Sequence, residues 1–408
     1  MSEQAFKVSV PDSELDFLRK KLELTRFPDE LDEAGWDYGV PLADVRRLVA
    51  RWKDGFDWRA SEAAINALPQ FTRDIEVEGY GNLNIHYVHS KSETQNAIPL
   101  LYVHGWPGHF VEVTKLLPLL TSPSSDFPAF HVVAPSLPGF GLSETTKKKG
   151  FAANQYAEVS HQLMLSLGYA EYVTVGGDWG YWVYQFVAPG LIQHLYPNHA
   201  KAWHTTFPEG SPPKFTSNPI VWLQHLLTPY TDKDREGLKR SAEHWEKGTG
   251  YARIQATKPQ TLGYSLADSP AGLLAWIYEK LVLWTDNYPW TDDEVLTWVS
   301  IYWFSRAGPA ASIRIYYEFR VADDHADIPG ATLSNPFGVS FFPKEIFVAP
   351  TSWAHTRGNL VFKSVHERGG HFPAYEEPEL LASDLRKFFG KGGPAFGVVH
   401  GKDGSSSN

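Results

Sequence analysis

Residues 174–180 read Thr174-Val175-Gly176-Gly177-Asp178-Trp179-Gly180 and directly follow the β-rich pair Tyr172-Val173. Because glycine tolerates strained backbone angles, the spacing Gly176-x-Asp178-x-Gly180 predicts a strand, a sharp turn and a helix, with Asp178 at the apex of the turn. This frame usually carries a nucleophilic serine, but no Gly-x-Ser-x-Gly occurs in the chain. An ionised Asp178 would instead displace a leaving group from a saturated carbon and become an ester, which water must then hydrolyse.

The composition is typical of a chain that buries one large core and a secondary unit, since 43% of its 408 residues are hydrophobic and 21% are charged. The net charge of -10 opposes binding to nucleic acid or to an anionic membrane. The absence of cysteine excludes disulfide frameworks, thiolate nucleophiles and Cys-ligated zinc. No apolar run approaches the roughly 18 residues of a membrane span, and the N-terminus lacks signal-peptide features, so we expect a soluble, cytoplasmic protein without a membrane anchor.

The sequence pattern divides the chain into five parts. Residues 1–73 are predicted to form a helical extension, and residues 74–207 and 321–398 the two halves of an α/β core. Between these halves, residues 208–320 lose the strand rhythm and become rich in Trp and Tyr, which indicates a helical lid. Residues 399–408 are polar and predicted to be disordered.

Short apolar runs that alternate with helical spacers predict the individual elements. The predicted helices cover residues 14–24, 42–53, 61–68 and 378–389. A hairpin is predicted over residues 74–77 and 83–88, and buried strands typical of a parallel sheet over residues 99–103, 130–134, 172–175, 200–207, 339–342 and 360–365.

A second informative loop, His104-Gly105-Trp106-Pro107-Gly108, directly follows one of the buried strands. Because the carboxyl ends of parallel strands meet at one edge of a sheet, we expect this loop to face the Asp178 turn. The backbone N–H groups of Trp106 and Trp179 are then predicted to form an oxyanion hole. We interpret His104 as a buried loop histidine that bonds to the backbone rather than as a proton-transfer group.

The water that hydrolyses the ester needs a base, and His371 in Gly369-Gly370-His371-Phe372 is the candidate, since glycines let a loop bring the imidazole to the sheet edge. A carboxylate should orient the imidazole, and Glu345, just after the preceding strand, is the candidate acid. The chain order of nucleophile, acid and base is that of the α/β-hydrolase fold. His366 is a weaker rival for the base. The rival acids are Asp323, Asp324, Asp327 and Glu367.

Taken together and in order, these motifs resemble the epoxide hydrolases of the microsomal type, in particular their soluble fungal members. The resemblance covers nearly the whole chain and implies an α/β-hydrolase fold with a mostly parallel central sheet, a helical lid and a helical N-terminal extension. It is carried by Arg26-Phe27-Pro28, by the loops at residues 104–108, 135–141 and 176–180, by Phe342-Pro343-Lys344-Glu345 and by residues 250–259.

The resemblance further implies that Tyr251 and Tyr316, both in the lid, point their hydroxyls at an epoxide oxygen. A phenol can stabilise and protonate the alkoxide that forms as the strained C–O bond breaks. The residues expected to bind the substrate are Tyr251 and Tyr316, together with Trp106 and Trp179 of the two loops. Tyr317 is the obvious confusion for Tyr316, because adjacent helical residues point about 100° apart.

The expected reaction converts an apolar epoxide and water to a vicinal diol without a metal or an organic cofactor. The resemblance also implies a homodimer through the lid. Trp284, Trp290, Trp298 and Trp303 are interpreted as lid packing or as a lid-to-lid interface.

Three competing functions remain open at this point. The nearest is a haloalkane dehalogenase, whose halide leaving group needs no proton and hence no tyrosines. The second is a non-catalytic protein that binds a small ligand on the same scaffold, and the third is an ordinary esterase. The missing nucleophilic serine counts against the esterase.

Overall fold

The computed structural model describes residues 3–181, 191–207, 210–216, 219–322 and 334–405. Their strands form one nine-stranded sheet in the order β1-β2-β3-β5-β4-β6-β7-β8-β9. The strands are β1 (Gln4–Ala5), β2 (Gln70–Val77), β3 (Gly81–Ser90), β4 (Ile98–Val103), β5 (Phe130–Pro135), β6 (Tyr172–Gly176), β7 (Ala200–Thr205), β8 (Pro336–Phe341) and β9 (Asn359–Val365). The pairs β1/β2, β2/β3 and β3/β5 are antiparallel, and all other pairs are parallel. The predicted mostly parallel sheet is therefore confirmed.

The central strands are buried on both faces. Leu101 and Val103 of β4 belong to one hydrophobic cluster, and Leu100 and Tyr102 of the same strand belong to another. Since successive side chains of a strand point to opposite faces, two apolar layers cover the sheet. This double coverage explains why these strands read as continuous apolar runs in the sequence.

Helices α1 to α7 precede the lid segment in the chain. They are α1 (Asp12–Glu23), α2 (Leu42–Asp54), α3 (Trp58–Ile65), α4 (Leu117–Thr121), α5 (Ala153–Ser166), α6 (Asp178–Tyr181) and α7 (Leu191–Leu195). A short 3₁₀ helix, Phe110–Thr114, precedes α4.

Among the described residues, seven α-helices, which we call the lid, separate β7 from β8, and no strand lies between these two strands. The lid helices are α8 (Pro219–Leu227), α9 (Asp232–Glu243), α10 (Gly250–Thr257), α11 (Pro259–Asp268), α12 (Pro270–Leu283), α13 (Asp292–Trp303) and α14 (Arg314–Val321). Beyond β9 lie α15 (Pro373–Glu376) and α16 (Pro378–Phe389).

The N-terminal helices pack against the lid. Helix α1 packs against α12, and α2 packs against both α12 and α13. The guanidinium of Arg51 forms a two-pronged ion pair with Asp293 at 2.9 and 2.8 Å, and Lys21 pairs with Asp268. Both ion pairs are largely exposed to solvent and contribute little to stability, so the apolar contacts dominate this attachment.

Several predicted boundaries differ from those in the structure. Helix α3 begins three residues before the predicted start, because the Asp57 side chain accepts a hydrogen bond from the Ala60 N–H at 3.1 Å and caps the helix there. The region 1–73 is not purely helical, since β1 and the first residues of β2 extend the sheet. The predicted disorder from residue 399 is wrong for Gly404, whose N–H donates to Asn96 and whose carbonyl accepts from Ala129.

Candidate active site

The turn after β6 holds Asp178 in a strained conformation. Its φ is 48°, in the left-handed region that costs a residue other than glycine about 1–3 kcal/mol and that is concentrated at functional sites. A Cβ atom at Gly176 would lie 2.8 Å from the Val103 carbonyl oxygen, and one at Gly180 would overlap the same carbonyl. The two flanking glycines therefore let the turn pack directly on β4, and α6 begins at Asp178 itself.

The loop after β4 contacts this carboxylate. The backbone N–H of Trp106 donates a hydrogen bond to Asp178 Oδ1 at 2.7 Å. A Cβ atom at Gly105 would overlap the Asp178 side chain, so glycine is required for this approach. The predicted meeting of the two loops is confirmed, whereas the participation of the Trp179 N–H in an oxyanion hole stays a prediction.

A histidine and a second carboxylate complete the arrangement. The His371 ring lies between Asp178 and Glu345: Nε2 is 3.5 Å from Asp178 Oδ2, and Nδ1 is 2.5 Å from Glu345 Oε1. Glu345 is fully buried, and its Oε1 also accepts the Ile346 N–H at 2.6 Å. Burial alone would lower the pKa of His371, but the carboxylates of Glu345 and Asp178 outweigh burial and raise this pKa to about 10.

The described rivals for these roles lie elsewhere. Glu367 forms a surface ion pair with Lys233 at 2.6 Å. His366 belongs to a separate pair, with its Nε2 2.6 Å from Asp384 Oδ2. The remaining rival acids Asp323, Asp324 and Asp327 lie outside the described residues.

Two lid tyrosines cover the carboxylate. The Tyr251 ring stacks on Trp106 at 5.2 Å, and the Tyr316 ring meets Trp179 edge to face at 4.7 Å. The two tyrosine rings lie 6.0 Å apart, and both are buried, whereas Tyr317 is 37% exposed.

Both buried phenols hold their protons firmly. Burial is the main cause that raises the pKa of Tyr251 and of Tyr316 well above the ordinary value, and the Asp178 carboxylate raises both further. The two side chains therefore remain protonated, and each can donate a hydrogen bond to an oxygen that becomes negative beside Asp178.

The Asp178 carboxylate, a histidine–carboxylate pair and two buried phenols thus share one site, and known proteins show where this combination belongs. Residues 3–113 match the family model for the epoxide hydrolase N terminus, and residues 98–180 match that for the alpha/beta hydrolase fold. The chain is 39% identical over 394 residues to a putative epoxide hydrolase of Stigmatella aurantiaca, with 94% of this chain and 84% of that protein covered. The chain belongs to the epoxide hydrolase family.

Two further members of the epoxide hydrolase family support this assignment. Epoxide hydrolase 1 of Sus scrofa is 35% identical over 415 residues, with 94% of this chain and 88% of that protein covered. The structure of Aspergillus niger epoxide hydrolase has a TM-score of 0.81 to this chain at 34% identity and covers 94% of this chain and 95% of that chain. The predicted α/β-hydrolase fold with a helical lid is confirmed.

Two lid residues reach the epoxide hydrolase site in ways that the sequence did not predict. The Trp284 ring lies 4.9 Å from the His371 ring, and the Trp284 carbonyl accepts a hydrogen bond from the backbone N–H of His371 at 2.8 Å. Trp284, interpreted from the sequence as lid packing or as a lid-to-lid interface, packs on Tyr251 of the lid and also contacts the core through His371. Arg240 donates to the backbone carbonyls of Glu345 and Lys344 at 3.1 and 2.9 Å. No local sequence motif identifies either residue, because each is a lid residue whose contact is with the core.

The interpretation of His104 is confirmed. Its Nδ1 lies 2.9 Å from the Gly105 carbonyl oxygen, and its Nε2 accepts the Leu137 N–H at 3.2 Å. Burial lowers the pKa of His104 to about 4, so the ring is neutral at physiological pH. Within the described part of the chain, no cluster of three or more His, Asp or Glu side chains is arranged to hold a metal ion. None of the described helices is both long and apolar enough to cross a membrane.

Proposed function

We propose that this protein hydrolyses epoxides to vicinal diols through a covalent ester on Asp178. The observation that carries the proposal is the pair of buried phenols, Tyr251 and Tyr316, packed against the two tryptophans that flank the carboxylate. An alkoxide leaving group needs a proton and a halide does not, so the phenols favour an epoxide over a haloalkane.

In the first half-reaction, an oxygen of Asp178 attacks an epoxide carbon, and the ring C–O bond breaks. Trp106 N–H holds Oδ1, which leaves Oδ2 as the attacking atom. One phenol transfers its proton to the developing alkoxide while the other donates a hydrogen bond to the same oxygen. The product of this step is a hydroxyalkyl ester of Asp178.

In the second half-reaction, His371 takes a proton from water, which attacks the ester carbonyl carbon. Ester formation removes the negative charge of Asp178, one of the causes that raise the pKa of His371. The pKa of His371 therefore falls when the ester forms, so the imidazolium can give its proton to the phenolate and the neutral imidazole can then act as the base. The oxyanion is stabilised by the N–H groups of Trp106 and Trp179. When the oxyanion collapses, the bond between the carbonyl carbon and the alkoxy oxygen breaks, and Asp178 becomes a carboxylate again. The remaining proton of the attacking water passes to the leaving alkoxide and completes the diol, and the proton taken by His371 regenerates the imidazolium.

The surroundings of the site indicate an apolar substrate. The rings of Trp284 and Phe207 lie 4.9 and 6.0 Å from the His371 ring, and Trp106 and Trp179 flank Asp178. Aromatic walls favour an epoxide with an aryl or alkyl substituent. A homodimer through the lid and a cytoplasmic location stay predictions.

The experiment that tests this proposal compares Tyr316→Phe with Tyr317→Phe. Loss of the buried phenol should slow diol formation from styrene oxide by roughly 10²-fold, the usual contribution of one acid group, whereas the half-exposed neighbour should be dispensable. Chromatography of the diol provides the rates. No diol from the unmodified protein, or equal losses in the two variants, would contradict the proposal.

A further inference from the structure

Two side chains of the lid helix α13 hold the backbone of the loop that carries Trp106. Trp298 donates its indole N–H to the Pro107 carbonyl, and Tyr302 donates its hydroxyl to the Gly108 carbonyl, both at 2.6 Å. Both side chains are buried. They are four residues apart and therefore occupy the same face of the helix.

These bonds fix the direction of two successive peptide groups. Peptide planes are rigid and proline has a fixed φ, so the orientation of the Pro107 and Gly108 carbonyls restricts the backbone of the whole loop. The same loop directs the Trp106 N–H at Asp178 Oδ1. An oxyanion donor works only at about 2.7–3.1 Å from the developing charge, so its position must be held firmly.

We propose that Trp298 and Tyr302 are positioning residues that hold the Trp106 N–H on the oxyanion of ester hydrolysis. The proposal rests on the function proposed above. It gives α13 a role beyond lid packing, since the lid then determines the geometry of the oxyanion hole in addition to covering the substrate.

The two half-reactions should respond differently when this support is lost. Before alkylation, the Trp106 N–H bonds to a charged carboxylate, and alkylation removes that charge. The N–H thus stabilises the starting state and does not accelerate alkylation. During ester hydrolysis a full negative charge forms on the carbonyl oxygen, so the same N–H accelerates that step.

The test measures both steps in Tyr302→Phe, which removes one hydroxyl and preserves the ring. Rapid mixing with styrene oxide followed by intact-protein mass spectrometry gives the rates at which the ester forms and disappears. We expect ester hydrolysis to slow roughly tenfold, less than the 10²–10³-fold for removal of a donor itself, and ester formation to keep its rate. The ester should consequently accumulate during turnover.

The matched control is Tyr375→Phe. The Tyr375 hydroxyl also bonds to α13, but it donates to Glu294 Oε1 at 3.0 Å rather than to the loop that carries Trp106. This control should lose stability without changing the ratio of the two rates. Trp298→Phe is the second variant and should repeat the accumulation of ester if Tyr302→Phe does not fold.

The outcomes separate the two proposals. If the unmodified protein forms no ester and no diol from the epoxide, the proposed function fails. If the unmodified protein turns over the epoxide but the folded variants leave the ratio of the rates of ester formation and ester hydrolysis unchanged, Trp298 and Tyr302 contribute to packing alone. The positioning role is then overturned.

Discussion

His371 and His366 each pair with a buried carboxylate, and of these two pairs the first lies beside Asp178. The two pairs are similar in length, since the His371 ring lies 2.5 Å from Glu345 and the His366 ring 2.6 Å from Asp384, but His371 uses Nδ1 and His366 uses Nε2. They differ in what lies beyond the pair. The second ring nitrogen of His371 faces Asp178, whereas Asp384 accepts a further hydrogen bond from Ser340 at 2.5 Å.

This difference shows that a histidine–carboxylate pair is not a catalytic unit by itself. His366 follows β9 directly, and its backbone N–H donates to Phe341, which joins the pair to the neighbouring strand. His371 lies beyond the glycines of the following loop, which carries it to the sheet edge where Asp178 is located. The His371–Glu345 pair is therefore positioned to act on a group bound at Asp178. The His366–Asp384 pair instead stabilises the packing of β8, β9 and α16.

The largest expected contrast is between His371→Ala and His366→Ala. Removing the base should lower steady-state diol formation by roughly 10²–10⁴-fold, the range for a general base. Removing His366 should leave the turnover of the folded enzyme near that of the unmodified protein and lower its melting temperature. Diol assays beside thermal unfolding provide both values. A comparable loss of turnover in both variants would show that the two pairs do not differ in role.

A smaller contrast is expected between Glu345→Gln and Asp384→Asn. The first change should slow ester hydrolysis by roughly 10²-fold or more, because the imidazole loses its orientation and the charge that stabilises imidazolium. The second should cost roughly 1.5–3 kcal/mol in the free energy of unfolding, the range for hydrogen bonds to a charged group. Single-turnover kinetics and denaturant titration measure the two effects. The assigned roles are wrong if Asp384→Asn slows the ester step and Glu345→Gln does not.

A further expected effect is a dependence of stability on pH that belongs to His371. Its folded pKa of about 10 lies above the unfolded value of about 6.5, so its stabilising contribution is complete below pH 6.5 and is lost as the pH rises towards 10. The stability difference between the unmodified protein and His371→Gln should shrink over that interval. Denaturant titrations at several pH values measure it, and a difference that grows with pH would contradict the raised pKa.

Much of the fold and the position of Asp178 in its turn followed from local sequence signals. The glycine spacing around Asp178 predicts the turn because a close backbone approach excludes larger residues. Apolar runs predict the central strands for the same local reason.

The choice among neighbours did not follow from local signals. The choice of Glu345 over Glu367 and of Tyr316 over Tyr317 came from the resemblance to a family. The structure brings the first residue of each choice to the site, and their chemical roles stay predictions. The contact of Trp284 with His371 could not be predicted, because it depends on how the lid packs on the core.

The covalent ester on Asp178 is tested most directly by intact-protein mass spectrometry of His371→Ala after incubation with styrene oxide. A parallel incubation uses a chloroalkane, and Asp178→Ala is the control. We expect a mass increase equal to the whole epoxide, located on the peptide that contains Asp178 and absent in the control. An alkyl adduct from the chloroalkane with no adduct from the epoxide would contradict the proposed function and indicate a dehalogenase.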